Sequence, residues 1–446
     1  MTKILAYSLP SLPLASLYFS TYVLLGEFYS SEFGLSLSAL GLTFILVRLF
    51  DAFSDPIMGY ISDNYYTGLG KRKPWVLLGG CIFIYAAWML FVPDLGSEIT
   101  IYYFAFWLLI STIGWTIMYS PYYALGAELS NDYYERSRIT FCRELLVLLG
   151  IVLASLLYSI GFESETNQFF FGLRPSIGLK QICFVSGILF LVSMIFFLVS
   201  KMSGKEIHNQ KIQKFKIQEI IVIFRNQRLL SCLLASQFLN GLANGFPPAL
   251  FVFFVGHVLQ IPALTGPLLL LYFFGAIIGV PFWLLLSHKY DKHRLWCMAM
   301  IYACIVFSFV ILLGKGDLLG FSIICFLSGF ALSADLALPT SIQADVLDLE
   351  ALRTGNRPSG QFFAIWGLVS KSAVAISTGL ALILLDLAGF QPDINNGIFA
   401  LTSLSVIYGG IPTILKCLSV YLMWNFELDR KKHQEIMFLL RSKETI

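Results

Sequence analysis

Charged residues are scarce in this chain. Only 13% of its 446 residues are Asp, Glu, Lys or Arg, whereas 57% are hydrophobic and the mean hydropathy is +0.76. A globular domain in water carries about 25% charged residues, so this composition is typical of a chain that lies mainly in lipid. The net charge of +3 says little, because in a membrane protein the placement of charge matters more than its sum.

The motifs of common catalytic and metal centres are also missing. No glycine-rich phosphate loop, zinc-ligand spacing or nucleophile elbow occurs, so nothing in the sequence indicates an enzyme. The eight cysteines include no CxxC pair and lie mostly within apolar runs, where we expect them to be small apolar fillers. We therefore expect no cofactor, no nucleic-acid partner and no obligate protein partner.

Long apolar segments, by contrast, recur along the whole chain. Each is near the roughly 20 residues that a helix needs to cross a bilayer. The first run reaches Leu25 without a small-residue cleavage site, which indicates a span rather than a signal peptide. Backbone groups in lipid need partners within their own segment, so the predicted fold class is all-α. The twelve segments lie at about 7–29, 35–63, 74–93, 99–127, 141–162, 180–200, 229–256, 263–287, 295–314, 318–346, 361–385 and 398–425.

Basic residues cluster in alternate loops. They follow spans two, four, eight, ten and twelve and are almost absent from the opposite loops. By the positive-inside rule both termini are cytoplasmic, and the short termini suggest a plasma membrane of the bacterial inner-membrane kind. A basic linker at 201–228 separates an N-terminal six-helix bundle at 1–200 from a C-terminal one at 229–426, and a cytoplasmic tail follows at 427–446.

The two halves resemble each other. The order of proline, acid and arginine after span four recurs after span ten, about 217 residues later. The residues are Pro121, Glu128 and Arg136 in the first half, and Pro339, Asp345 and Arg353 in the second. Two similar six-helix halves with both termini inside describe the major facilitator architecture.

Span two contains two acids. Asp51 and Asp55 are four positions apart and therefore share one face of a helix, which Arg48 joins. An ionisable side chain at membrane depth costs roughly 3 kcal/mol and usually marks an ion or solute path. Two interpretations are open: the acids bind a ligand, or Arg48 pairs with Asp51 and merely neutralises it.

Three motifs around these positions resemble one family. Arg48–Gly59 followed by Gly70–Trp75, then Pro121–Gly126 with Arg143, and Ala344–Gly355 with Lys371 beyond, are similar to the glycoside–pentoside–hexuronide cation symporters of the major facilitator superfamily. The resemblance runs across the whole chain. It implies a symporter that couples a cation to the import of a small organic solute by alternating access.

The resemblance also implies a cation site. Asp51 and Asp55 would bind sodium, lithium or a proton, with Ser54 and Thr116 beside them. Ser54 stands where the family has asparagine, and its hydroxyl can still ligate a hard cation, which prefers oxygen donors. Two carboxylates also suit a proton, so the choice between sodium and proton is open.

The family's sugar site matches less well. Its two sugar-binding acids fall on Ala15 and Tyr119, and its second tryptophan falls on Leu336. A less acidic, more aromatic site that retains two cations favours an anionic sugar derivative over a neutral disaccharide. The predicted solute-binding residues are Tyr22, Tyr119, Tyr123, Arg143, Trp366 and Lys371. Trp366 is included because it lies five positions before Lys371.

A third set of residues is predicted to act in gating. Charge pairs at the cytoplasmic end would hold the halves together in one state. Asp335 and Lys371 lie on neighbouring spans, so they either form a fixed pair or leave Lys371 to meet solute, while Lys416 can snorkel. The gating residues are Arg48, Asp63, Arg72, Arg136, Asp335, Asp345 and Arg353.

Two other functions are compatible with the same fold. Sodium-dependent lysophospholipid symporters are relatives of the family, and a site that lacks the sugar acids but keeps Lys371 suits a zwitterionic or anionic head with a lipid tail. A non-transporting membrane receptor would use the fold only to bind. The intact acids of span two favour coupled transport over sensing.

Overall fold

The structure is a computed structural model that describes residues 2–64, 70–93, 99–129, 133–163, 176–200, 228–287, 289–354, 359–392 and 396–444. Short 3-10 or π segments adjoin several of its helices, at Phe254–Val258, Pro262–Leu264, Phe309–Leu312 and Val406–Gly410. The α-helices of these residues are α1 (Thr2–Ser8), α2 (Ser11–Val23), α3 (Leu25–Phe33), α4 (Leu37–Asn64), α5 (Lys73–Phe91), α6 (Ile101–Glu128), α7 (Tyr133–Glu163), α8 (Ser176–Val199), α9 (Arg228–Phe253), α10 (Thr265–Ser287), α11 (Lys292–Ser308), α12 (Leu318–Thr354), α13 (Ser359–Leu387), α14 (Ile398–Ser405), α15 (Ile411–Met423) and α16 (Arg430–Glu444).

The described helices account for all twelve predicted spans. Eleven are long and apolar enough to cross a membrane, and the twelfth is made by the segment Lys3–Val23 with Leu25–Phe33, bent by 52°. Just before the bend, the hydroxyls of Ser20 and Thr21 donate to the carbonyls of Ser16 and Leu17, a pattern that often bends helices. The all-α, twelve-span prediction is confirmed, with a first span that is broken rather than straight.

Helices α4 and α13 cross between the two halves at a pair of glycines. A Cβ added to Gly41 would lie 2.5 Å from the carbonyl oxygen of Gly379, and one added to Gly379 would lie 2.3 Å from that of Gly41. Only glycine permits this approach, because any side chain would overlap the opposite backbone. The close crossing fixes the register of the two antiparallel helices, and so determines which of their residues meet further along.

The first turn of α4 is capped by the other half. Asp386, near the end of α13, accepts hydrogen bonds through Oδ2 from the backbone N–H of Ser38 and the hydroxyl of Ser36, each at 3.2 Å. A carboxylate at a helix N-terminus is favoured, because it satisfies a free N–H group and meets the positive end of the helix dipole. This contact adds a polar connection between the halves to the glycine crossing.

A second inter-half crossing joins α7 to α10 at the same end of the molecule. A Cβ on Gly266 would lie 1.9 Å from the hydroxyl of Ser159 and 2.4 Å from the carbonyl oxygen of Ser155. Gly266 is in the first turn of α10 and the two serines are near the end of α7. The halves are therefore packed tightly at the end where α4 and α10 begin.

The C-terminal tail contains a helix for which the sequence analysis made no prediction. Asp429 accepts a hydrogen bond from the backbone N–H of Lys432 at 2.8 Å, as a helix N-cap does. Along α16, Ile436 packs into the core of the C-terminal half, and His433 lies 3.3 Å from the carboxylate of Asp348. The tail is thus part of that half. The predicted linker stays a prediction, because 201–227 lie outside the described residues.

The glycine crossing predicts a large effect from one methyl group. In Gly379→Ala the new Cβ must push α13 away from α4, and such overpacking typically costs about 1–3 kcal/mol. We expect the midpoint of thermal unfolding to fall by several degrees in detergent. Gly187→Ala is the matched control, because a Cβ there meets nothing within 4 Å. Equal midpoints for the two variants would contradict the close crossing.

Candidate functional site

The two acids of α4 meet a lysine from the opposite half. Lys371 of α13 places its ammonium 3.0 Å from Oδ2 of Asp51 and in a shorter ion pair with Oδ2 of Asp55. The side chain of Asp51 is 2% exposed, and those of Asp55 and Lys371 are 22% and 25% exposed. One ammonium therefore connects two carboxylates across the interface between the halves, close to the middle of both helices.

Two hydroxyls complete the surroundings of Asp51. Thr116 of α6 donates to Oδ1 of Asp51 at 2.9 Å, and Ser54 donates to the backbone carbonyl of Asp51 at 3.1 Å. The two hydroxyl oxygens are 3.3 Å apart. The four residues predicted for cation binding are therefore neighbours in the structure.

One carboxylate oxygen in this cluster is left without a hydrogen bond. Oδ1 of Asp55 is buried and has no donor among the residues that the structure describes. Buried acceptors are rarely left unpaired, because the lost contact with water is not replaced. Two carboxylates and one ammonium also sum to a single negative charge. The cluster thus has an oxygen and a charge that one more cation would satisfy.

Arg48 does not pair with Asp51. Its Nη1 donates to the hydroxyl of Tyr18 at 2.6 Å, and its Cζ lies 3.3 Å from the ring centroid of Tyr22. A guanidinium over a tyrosine face is held by cation–π attraction. The interpretation in which Arg48 merely neutralises Asp51 is therefore wrong, because Lys371 occupies that position.

Next to the acids, aromatic rings form a continuous column. Ring centroids are 4.1 Å apart from Tyr18 to Trp115, 5.2 Å from Trp115 to Tyr119 and 4.1 Å from Tyr119 to Tyr123. At the far end the guanidinium of Arg143 lies 3.7 Å from the Tyr123 centroid. The column therefore has a guanidinium at each end, Arg48 at one and Arg143 at the other.

This column, termed the aromatic column below, contains or contacts most of the predicted solute residues. Tyr119 and Tyr123 are in it, Tyr22 contacts Arg48 at its end, and the Lys371 ammonium lies 5.7 Å from the Tyr119 centroid. Sequence reasoning missed Tyr18 and Trp115. Both residues could have been predicted from a spacing of four positions, which places side chains on one face of a helix. This spacing separates Tyr18 from Tyr22 on α2, and Trp115, Tyr119 and Tyr123 from one another on α6.

Trp366 lies elsewhere. It is buried in the core cluster of the C-terminal half, which also contains Leu230, Met423 and Phe426. Five positions along a helix turn the side chain by about 140°, so Trp366 and Lys371 point away from each other. Sequence proximity to Lys371 was therefore a misleading reason to assign Trp366 to the solute site.

Asp335 and Lys371 do not pair. Asp335 instead accepts hydrogen bonds from Lys416 at 2.7 Å, from the indole N–H of Trp296 at 2.8 Å and from the amide of Asn244 at 3.2 Å. Lys416 is buried, with 8% of its surface exposed, so it does not snorkel. Asp335 and Lys416 form a separate ion pair inside the C-terminal half.

Two of the remaining gating residues have described contacts that lie within one half. Asp345 accepts from the ammonium of Lys292 at 2.7 Å through both oxygens, and Arg72 donates to the hydroxyl of Ser62 at 2.7 Å. Arg353 is exposed in the last turn of α12. The side chains of Asp63 and Arg136 lie outside the described residues.

Comparison with known proteins agrees with the fold and the motifs. Residues 6–430 match the model of the MFS/sugar transport protein family. The chain belongs to this family. It is a membrane transporter rather than an enzyme, and the resemblance to glycoside–pentoside–hexuronide cation symporters is confirmed.

Individual relatives are symporters by name. The uncharacterized symporter YnaJ of Bacillus subtilis is 24% identical over 96% of this chain and 91% of its own length. The putative glycoside/cation symporter YagG of Escherichia coli is 24% identical over 89% and 85%. The human sodium-dependent lysophosphatidylcholine symporter 1 is 23% identical over 87% and 76%.

Solved structures share the architecture. The nucleoside transporter NupG superposes with a TM-score of 0.70 at 11% identity, over 96% of this chain and 100% of its own. A proton-dependent oligopeptide transporter superposes with a TM-score of 0.69 at 13% identity, over 99% of both chains. At such low identity these matches show the fold alone, which is the predicted two-half architecture.

The hydroxyl of Thr116 gives a direct test of the cluster geometry. Thr116→Val removes the donor to Asp51 and leaves a buried carboxylate oxygen unpaired, which typically costs about 1–3 kcal/mol. We expect a lower free energy of unfolding in detergent. Thr378→Val is the matched control, because that hydroxyl only donates to Val374 within its own helix. Equal losses in both variants would show that the Thr116–Asp51 bond contributes nothing.

Proposed function

We propose that this chain is a symporter that couples a cation to the import of a small organic solute, with Asp51 and Asp55 as the principal cation ligands. The observation that carries this proposal is the cluster of two carboxylates bridged by Lys371, in which one buried carboxylate oxygen of Asp55 has no donor from the described part of the chain. Ser54 and Thr116 contribute hydroxyl oxygens at the same place.

In this mechanism the cation and the Lys371 ammonium compete for the same two carboxylates. A cation bound to Asp51 and Asp55 supplies the missing positive charge and weakens the hold of the carboxylates on Lys371. The ammonium then becomes available to an anionic group on the solute, beside the ring of Tyr119. Binding is reciprocal: the cation raises the affinity for the solute, and the solute raises that for the cation by the same factor.

Sodium is the coupling ion that the ligands favour, and a proton is the alternative. The cluster offers two carboxylates and two hydroxyls, all hard oxygen donors of the kind that sodium-like cations prefer. A proton would instead neutralise one carboxylate directly and would make no use of the hydroxyls of Ser54 and Thr116. Imposing each ion gradient separately distinguishes the two.

The packing of the halves bears on alternating access. With both termini cytoplasmic, as the charge of the loops indicates, the tightly packed end would be the outer one. The glycine crossing of Gly41 and Gly379 and the cap from Asp386 would then close the protein toward the outside. Opening to the outside requires these contacts to separate, while Lys371 and the acids lie nearer the middle of the same two helices.

The aromatic column is the proposed solute site. Its stacked rings suit the apolar face of a sugar ring. Lys371, once the cation has weakened its hold on the acids, suits an anionic substituent, whereas Arg143 already pairs with Glu144 at 2.6 Å. An anionic sugar derivative is therefore the proposed solute. A lysophospholipid is the second candidate, because the human sodium-dependent lysophosphatidylcholine symporter 1 matches 87% of this chain. A receptor that does not transport would not need an ion pair between two halves that move relative to each other.

Uptake into reconstituted vesicles tests the coupling. We expect the native protein to accumulate a uronide or sulfonated sugar when a sodium gradient or a proton gradient is imposed. Asp55→Asn should remove accumulation, since coupling between sites typically amounts to roughly 5- to 150-fold. Its thermal stability and its insertion into the vesicles should be retained.

Asp317→Asn is the matched control for this variant. Asp317 is an exposed carboxylate in a loop of the C-terminal half, and its substitution should leave uptake unchanged. Accumulation by Asp55→Asn at the native level, or accumulation by the native protein without either gradient, would refute the symport mechanism. A response to lysophospholipid alone would identify the second candidate as the solute.

A further inference from the structure

One cavity lies mainly within the C-terminal half. It contains about 900 Å³ of empty space, with its open mouth included, and is lined by residues of α9, α10, α11, α12 and α15. From the described part of the N-terminal half, Phe19 and Val23 of α2 also reach it. None of the cation ligands and none of the rings of the aromatic column is among its lining residues, so this cavity is separate from the proposed cation and solute sites.

The polarity of the cavity changes from one end to the other. Phe251, Phe321 and Tyr408 line the end of the cavity nearest to where the halves are tightly packed. Among the described lining residues, the charged ones are Asp335 and Lys416, which lie deeper. Phe321 and Asp335 are 14 positions apart on α12, a distance of about 21 Å along the helix. The hydroxyls of Ser328 and Thr413 donate to backbone carbonyls of their own helices. Apart from the tyrosines Tyr272 and Tyr408, the walls are therefore apolar along this length.

At the charged end of the cavity, one N–H of the Lys416 ammonium has no acceptor among the described residues. An ammonium has three protons to donate, and Lys416 uses two, to Asp335 at 2.7 Å and to Asn240 at 2.8 Å. No third acceptor is present among the described residues, although Lys416 is only 8% exposed. Asp335, in contrast, already accepts from Lys416, Trp296 and Asn244. A ligand at this end would therefore have to supply a hydrogen-bond acceptor for Lys416 rather than a donor for Asp335.

The charges of the pair decide which acceptor fits. Asp335 and Lys416 sum to zero, so a ligand with a net charge would add a buried charge without a counter-charge, which is strongly unfavourable. A hydroxyl or carbonyl oxygen accepts the third proton without that penalty. The long apolar walls then suit a single hydrocarbon chain attached to such an oxygen.

We propose that this cavity is a binding site for an uncharged single-chain amphiphile. Its hydroxyl or carbonyl oxygen accepts from the Lys416 ammonium, and its chain lies along α12 toward Phe321. This site goes beyond the proposed symport function, because it is lined mainly by one half and uses none of the residues assigned to the cation or the coupled solute.

Photolabelling of the full chain in lipid nanodiscs tests the site. The probe is a medium-chain alcohol that carries a diazirine on its chain, and the labelled residues are mapped by mass spectrometry. We expect labelling of α9 and α12 residues that line the cavity. Unlabelled 1-decanol should compete, whereas decanoate and decylammonium at equal membrane concentration should compete about tenfold less well.

Two substitutions locate the label. Ala331→Leu fills part of the cavity and should reduce labelling about tenfold, while Ala337→Leu, on the exposed face of the same helix, should not change it. Should Ala331→Leu fail to fold, Ser328→Leu at a half-buried lining position makes the same test. The neutral double variant Asp335→Asn with Lys416→Met removes the donor to the ligand oxygen, so it should weaken competition by 1-decanol about tenfold and abolish its advantage over decane.

Several outcomes would overturn the proposal. One is labelling that is confined to lipid-facing residues, and another is labelling that neither cavity-filling variant reduces. Competition by decanoate as strong as that by decanol would refute the charge argument. Asp55→Asn should leave labelling intact, so a failure of this proposal and a failure of the symport mechanism are seen in different experiments.

Discussion

The ammonium of Lys371 between two carboxylates of α4 is the interaction on which the proposed mechanism depends. Two buried carboxylates with no positive partner would repel each other and lose their contact with water. Lys371 provides that partner from the other half of the molecule. The charge balance of the cation site and the contact between the halves are therefore set by the same group.

The antiparallel packing of α4 and α13 explains why these residues meet. Three contacts follow one another along the two helices: Asp386 with Ser38, Gly41 with Gly379, and Lys371 with the two acids. The first two contacts hold the ends of the helices close together. The third lies further along both helices, where charged side chains replace the close backbone packing. A change in the third contact can therefore bias whether the first two stay closed.

The sequence predicted the parts of this arrangement that local spacing determines. Asp51 and Asp55 were recognisable because their spacing of four puts two costly charges on one helix face, and Thr116 was found through the family resemblance. The partner of Lys371 was not predictable, because it depends on the register between helices more than 300 residues apart in sequence. Asp335 was the nearer acid in sequence, yet Lys416 satisfies it in the structure.

Two further differences have the same origin. Trp366 was assigned to the solute site because it is near Lys371 in sequence, but the helical turn points it into the core of its own half. The rings of Tyr18 and Trp115 were overlooked because each lies among many other aromatic residues in apolar spans. Only their positions in the folded chain, on α2 and α6, show that these two rings stack.

Calorimetric titration of sodium into the native protein and into Lys371→Gln tests competition between the lysine and the cation most directly. Proton release should be followed in the same samples, and Lys315→Gln in an exposed loop is the control. Removing a positive charge that contacts both carboxylates should tighten binding of the coupling ion by about tenfold or more. Binding that is unchanged or weaker in Lys371→Gln would contradict the proposal that Lys371 and the cation compete for Asp51 and Asp55.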